Sequence, residues 1–86
     1  MSNSILKVDQ EIINKHLLPG ETIKTVLQTP GKKLRGLLTT KGRAIFISTS
    51  SKKHDVAKYL SVIASAKAWN LSISTEGSHL VCLLYP

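Results

Sequence analysis

The sequence has little cysteine, since Cys82 is the one thiol among its 86 residues. A single cysteine excludes an internal disulfide and a zinc site built from several cysteines. His16, His54 and His79 are widely separated and lack metal-ligand spacing. We therefore expect no metal and no other cofactor, and a reducing, cytoplasmic setting fits the chain best.

Long apolar runs are also missing. The longest, LVCLLY at residues 80–85, is far shorter than the roughly 20 residues of a membrane-spanning helix. The N-terminus has no basic segment followed by an apolar run, so no secretory signal is expected. We expect a soluble protein with one domain, residues 1–86, and one modest core.

Acidic residues are few, and none lies between Glu21 and Asp55. The intervening residues 22–54 hold eight bases, whereas the rest of the chain holds four bases and five acids. Such an asymmetry favours an anionic partner, although the charge could also serve solubility alone. The candidate partner-binding residues are Lys24, Lys32, Lys33, Arg35, Lys41, Arg43, Lys52 and Lys53.

The first part of the chain has helical periodicity. Ile5, Val8, Ile12 and His16 form a stripe that predicts an amphipathic helix over residues 4–18. Leu6, Ile13 and Leu17 widen the same stripe. Pro19-Gly20 then ends the helix, because proline restrains the residue before it and glycine permits a reversal.

Three strands joined as β-hairpins are predicted over residues 22–50. Pro30-Gly31 and Lys41-Gly42 are turn pairs that separate segments 22–28, 33–40 and 43–50. The third segment is apolar on both faces, which predicts that it is the central strand of the three.

In the second segment, alternate residues point to opposite faces of the strand, which explains why charged and apolar residues are neighbours in the sequence. Leu34 and Leu38 fall on one face, whereas Lys33, Arg35 and Leu37 fall on the other. The sheet is therefore expected to bury its core and to present a cationic face.

Residues 54–69 are ambiguous. Helical spacing and four alanines favour a helix, whereas β-branched residues also allow two short strands. Residues 71–85 read as a terminal hairpin. Its apolar residues 80–84 need cover from the first helix or from another subunit. The sequence thus predicts an α+β fold: a small antiparallel sheet packed by an N-terminal helix, with a second helix at 55–68 as one alternative.

Several motifs carry a resemblance. LLPGETI (17–23), GKKLRGLLTTKGRAIFI (31–47), KK (52–53) and IAS (63–65) are similar to bacterial pleckstrin-homology-like (PH-like) domains. The resemblance implies a PH-like partial barrel of about five strands, with strand rather than helix over 62–68. It also implies a binding scaffold, and it transfers no catalytic residue.

No constellation of residues suggests catalysis. Apolar neighbours raise the pKa of the Cys82 thiol, and the five acids form no general acid–base pair. We expect a non-enzymatic binding module that recognises an acidic protein or other anionic surface through a cationic sheet face and hairpin ends. The alternatives are nucleic-acid backbone binding without sequence specificity, anionic lipid head-group binding, and a homodimer paired through the C-terminal strand.

Overall fold

The computed structural model of the protein describes residues 5–27, 33–49 and 52–86. The predicted α+β class, with a helix at the N-terminus and an antiparallel sheet, is confirmed. Two helices and five strands follow one another along the chain as α1 (Lys7–His16), β1 (Ile23–Leu27), β2 (Leu34–Thr39), β3 (Ala44–Ser48), α2 (Lys53–Lys67), β4 (Asn70–Glu76) and β5 (His79–Tyr85).

The strands form one open antiparallel sheet with the order β1-β2-β3-β5-β4. β5 lies between β3 and β4, so α2 connects two strands that are not adjacent. The prediction that the third strand lies between the first two is wrong, because β2 pairs with both β1 and β3. β3 is instead the centre of the whole sheet, which explains why both of its faces are apolar.

Each face of the sheet carries one helix. Ile45 and Ile47 of β3 pack in a cluster with Ile12 and Ile13 of α1. Ala44, the neighbour of Ile45, belongs to a second cluster built around α2. Because alternate residues of a strand point to opposite faces, α1 and α2 cover opposite sides.

Helix α1 presents most of the predicted apolar stripe, since Ile5 and Leu17 pack beside its buried isoleucines. Its buried residues are Asp9, Ile12 and Ile13, whereas Val8 is 43% exposed. The helix spans Lys7–His16, which is shorter than the predicted 4–18. The face of α1 that meets the sheet therefore includes a carboxylate.

The ambiguous segment is helical. Leu60 and Ala64 of α2 are buried against the sheet, and Val56 and Ile63 are packed beside them. The strand that the PH-like resemblance implies over 62–68 is not observed there. Spacing at i, i+4 and i+8 thus outweighs the β-branched residues of this segment.

Strand β5 is covered within the chain. Val81 and Leu83 pack in the α1 cluster, whereas Leu80, Cys82 and Leu84 pack in the α2 cluster. β5 also pairs with a strand on each side, so its backbone is not a sheet edge. A homodimer paired through β5 would first have to displace β3 or β4, and the two edge strands of the sheet are β1 and β4.

Helix α2 ends on a residue with strained backbone geometry. Ala68 has φ 56° in the left-handed region, and its N–H group donates to the carbonyls of Ala64 and Ser65. Glycine adopts this conformation without the steric cost that a Cβ atom imposes.

We expect Ala68→Gly to raise the free energy of unfolding by about 0.5–1 kcal/mol, since relief of the strain exceeds the entropy lost. Ala66→Gly is the matched control: it makes the same replacement at an exposed site in the last turn of α2 and should cost about 0.5–1 kcal/mol. Urea denaturation of both variants checks the opposite signs. Equal losses in the two variants would contradict the prediction.

Candidate functional site

The described lysines among the predicted binding residues lie at two ends of the sheet. Lys33 precedes β2, and Lys52 precedes α2 at that same end. Lys41 follows β2 at the opposite end, and Lys24 lies near it because Ile23 pairs with Thr39. Lys53 is the first residue of α2, whereas Lys32 lies outside the described residues.

Arg35 is bound to a carboxylate of helix α1. Its Nε donates to Asp9 Oδ2 at 2.6 Å, and its Nη2 donates to Asp9 Oδ1 at 2.7 Å. The Asp9 side chain is only 3% exposed. A two-pronged contact of this kind matches the planar guanidinium to the planar carboxylate. It fixes the first turns of α1 against β2.

Arg43 makes an equivalent contact after α1 has ended. Its Nε donates to Glu21 Oε2 at 2.9 Å, and its Nη2 also donates to Oε1 of the same carboxylate. The same Nη2 donates to the His16 carbonyl at 2.8 Å. Arg43 therefore ties both the last turn of α1 and the following loop to the start of β3.

The Glu21 carboxylate accepts hydrogen bonds from several neighbouring groups. Besides Arg43, it accepts from the Leu18 N–H at 2.9 Å and from the Thr39 hydroxyl at 2.6 Å. Its side chain is completely buried. The Arg43 guanidinium, with these two donors, lowers the pKa of Glu21 to about 2.

The predicted cationic sheet face is therefore corrected. The face that carries Arg35 lies under helix α1, and both arginines of the basic block are matched by buried carboxylates. Arginines paired in this way hold the fold together, and their charge is not available to a polyanionic partner. The surface charge of the block rests on its lysines.

Asp9 and Glu21 are not among the residues predicted from the sequence. A signal for Asp9 was present, because it lies four residues after Ile5 and three before Ile12, on the apolar side of α1. A carboxylate on an apolar stripe must find a cation when it is buried. For Glu21, which lies in a loop, no periodicity identifies the partner.

A groove opens beside the N-terminal half of α2. Its volume is about 310 Å³, and we call it the β2–α2 groove. The floor and wall are apolar, with Leu34 half-buried and Tyr59 51% exposed. Its charged lining residues are Lys33, Lys52 and Asp55, and its other lining residues include Leu34, Val56 and Tyr59.

The groove exists because α2 covers only part of its sheet face. The α2 cluster takes its fully buried strand residues from β3 and β5 and packs against Leu71 of β4. On this face Leu34 and Leu38 of β2 are only half-buried. The Phe46 ring lies against Gly36, where a Cβ atom would come within 2.7 Å of it.

The groups capable of chemistry are dispersed or inert. Burial raises the pKa of the Cys82 thiol to about 11, as its apolar surroundings predict, so the thiol is protonated near neutral pH. In the described ranges, no three His, Cys, Asp or Glu side chains are grouped so that they could hold a metal ion. Neither described helix has the length and apolar character needed to cross a membrane.

No known family model, curated protein or solved structure matches this chain. The similarity to PH-like domains therefore stays a prediction. What is known of the site comes from its own residues.

The Asp9–Arg35 contact predicts that substitutions of Arg35 and of Lys33 change stability by different amounts. Arg35→Met leaves the Asp9 carboxylate buried without its guanidinium, and we expect a loss of about 3–5 kcal/mol. Lys33→Met, at an exposed position two residues away, should change stability by less than about 0.5 kcal/mol.

Urea denaturation measures both changes. Adding Asp9→Leu to Arg35→Met removes the stranded charge and should recover much of the loss. Equal effects of Arg35→Met and Lys33→Met would show that the contact does not hold α1.

Acidification should weaken the Glu21–Arg43 contact. The folded state holds the pKa of Glu21 at about 2, whereas an unfolded glutamate titrates at about 4.3. The contribution of the carboxylate is therefore complete above about pH 5 and is lost as the pH falls toward 2. Glu21→Gln has no carboxyl group to titrate at this position. The difference in unfolding free energy between the wild type and this variant should therefore decrease from pH 7 to pH 2.

Denaturant unfolding at a series of pH values checks this narrowing. Glu11→Gln is the control, because Glu11 lies on the exposed side of α1. Parallel pH profiles for the wild type and Glu21→Gln would contradict the assignment.

Proposed function

We propose that this protein is a non-enzymatic binding module that recognises an acidic partner protein at the β2–α2 groove. The observation that carries the proposal is the combination of an apolar floor, formed by Leu34 and Val56, with Lys33 and Lys52 at the mouth. Apolar contacts supply affinity in such a site, and the surrounding charges select the partner and speed association.

The charge at the start of α2 supports an anionic partner. Lys52, Lys53 and His54 occupy the cap and first turn of the helix, where the helix dipole favours negative groups. Asp55 is the acidic residue of that turn. An acidic group bound here would therefore interact favourably with both the lysines and the helix terminus.

Nucleic-acid binding is the second candidate, and one observation favours it. The structure places the half-exposed Tyr59 beside Lys33 and Lys52, although they are distant in sequence. An exposed aromatic between cations is typical of surfaces that stack single-stranded bases. The Asp55 carboxylate in the same groove opposes a phosphate backbone, whereas a protein partner can place a neutral or basic residue beside it.

Lipid binding, a cytoplasmic location and the PH-like resemblance are the other expectations from the sequence. A head-group site on anionic lipid would use the same lysines, but the apolar residues here line a recess and do not project from the surface. The buried, unpaired thiol of Cys82 supports a cytoplasmic location. The PH-like resemblance agrees with a binding role.

Two charge-matched variants test the proposal. Lys33→Glu with Lys52→Glu reverses both lysines of the groove, whereas Lys7→Glu with Lys58→Glu makes the same charge change at exposed positions on the outer sides of α1 and α2. A displayed random-peptide library is selected on the wild-type protein, and the recovered peptides are synthesised and measured by fluorescence anisotropy.

We expect the recovered peptides to be enriched in Asp and Glu. The groove variant should weaken their binding at least about tenfold, which is about 1.4 kcal/mol, and the control variant much less. Oligothymidylate and vesicles of anionic phospholipid are measured in parallel. Peptides without acidic enrichment, or equal losses in the two variants, would reject the proposal. Tighter binding of oligothymidylate with a steep salt dependence would favour the second candidate.

A further inference from the structure

We infer that the occupant of the β2–α2 groove is an acidic amphipathic α-helix of the partner, lying on β1 and β2 beside α2. The inference rests on the proposed function and adds the partner's conformation and direction. Three observations carry it: the width of the uncovered sheet face, the pairing of the β2 backbone on both sides, and the placement of the lysines.

The α2 side of the sheet has room for one more helix. Five strands about 4.8 Å apart make a sheet about 19 Å wide, and packed helices lie about 10 Å apart. α2 packs over β3, β5 and β4, and its cluster reaches Leu38 of β2. Among the described residues, no helix lies over the rest of the β1–β2 half of this face, which we call the uncovered strip. That half carries Leu34, Leu38 and, paired with Gly36, the half-buried Leu27.

The length of the uncovered strip also suits a helix. β2 has six residues and is about 20 Å long. A helix of about 13 residues has the same length and places apolar residues on one side at each turn. The wall of the strip is formed by the side of α2 that carries Tyr59, which is 51% exposed.

An extended partner peptide would leave backbone hydrogen-bonding groups unpaired on this apolar floor. The backbone groups of β2 are already paired with β1 on one side and β3 on the other. A strand or an irregular peptide laid on the apolar face would bury its own N–H and C=O groups without partners. A helix satisfies these groups internally and offers only side chains to the floor.

The lysines set the charge and the direction of the helix. Lys33 and Lys52 stand at one end of the strip, and Lys41 stands beyond the other end of β2. Acidic residues are therefore expected near both ends of the partner helix. Its C-terminus, which carries the negative end of the helix dipole, should lie at Lys33 and Lys52, antiparallel to α2.

Two synthetic peptides of equal composition test the conformation. One has leucines at i, i+3, i+4 and i+7 with glutamates on the remaining positions, and the other is a scrambled sequence without a helical stripe. Both are titrated into the full-length protein by fluorescence anisotropy, and circular dichroism follows peptide helicity. We expect the striped peptide to bind at least about tenfold more tightly and to become helical.

Two further variants locate the peptide. Tyr59→Glu places a charge on the wall and should weaken the striped peptide about tenfold. Ile73→Glu is its control, because Ile73 is exposed on the same sheet face at the β4 edge, on the other side of α2. A paramagnetic tag at the C-terminus of the striped peptide should broaden the amide signals of Leu34 and Lys52. Broadening near Lys41 instead would overturn the direction.

The outcomes separate this inference from the proposed function. If both peptides bind equally and both are lost in the Lys33→Glu, Lys52→Glu variant, the helix is overturned and acidic-partner binding stands. If neither peptide is affected by that variant, both proposals fail. Equal losses in Tyr59→Glu and Ile73→Glu would place the peptide elsewhere and overturn the inference.

Discussion

Helix α1 is held to the sheet by two buried contacts between an arginine and a carboxylate. Asp9 with Arg35 fixes its first turns, and Glu21 with Arg43 fixes the loop that follows it. Between them only Ile12 and Ile13 are buried on the helix, so apolar burial alone is small for ten residues. Each pair must stay complete, since a lone buried charge is far more costly than the pair. The face of the sheet opposite the groove is therefore closed by electrostatics as much as by packing.

Arginine and lysine consequently have different roles in this chain. Arginine offers a planar, always charged fork that suits a buried carboxylate, whereas lysine carries a hydrated point charge that suits solvent. Arg35 and Arg43 sit inside the structure, while Lys33 and Lys41 stay exposed at the strand ends. A basic block that looks uniform in sequence is thus divided between internal support and external surface. The division concentrates what remains of the charge at the ends of the uncovered strip.

Much of this architecture could be predicted from local patterns. Alternation and the Lys41-Gly42 turn predicted the strands, since Leu34 and Leu38 do share a face, and spacing in residues 54–69 allowed the helix. The predicted Pro30-Gly31 turn lies outside the described residues. Most of the α1 face was predicted, but Val8 is exposed and the buried Asp9 was not identified, although its position on the stripe was a usable clue. The insertion of β5 between β3 and β4 depends on which apolar strands meet in space, and no local pattern specifies that. The groove follows from that order and could not be foreseen either.

The central position of β5 has a consequence for how the chain matures. During synthesis the ribosome releases β3, α2 and β4 before residues 79–85, yet β4 is joined to β3 only through β5. Until those residues emerge, β3 presents an unpaired apolar border, and β4 has no neighbour to bond with. Such a border is a template for contact with other nascent chains. β4 and β5 form a local hairpin, so the sheet is completed by the non-local pairing of β5 with β3.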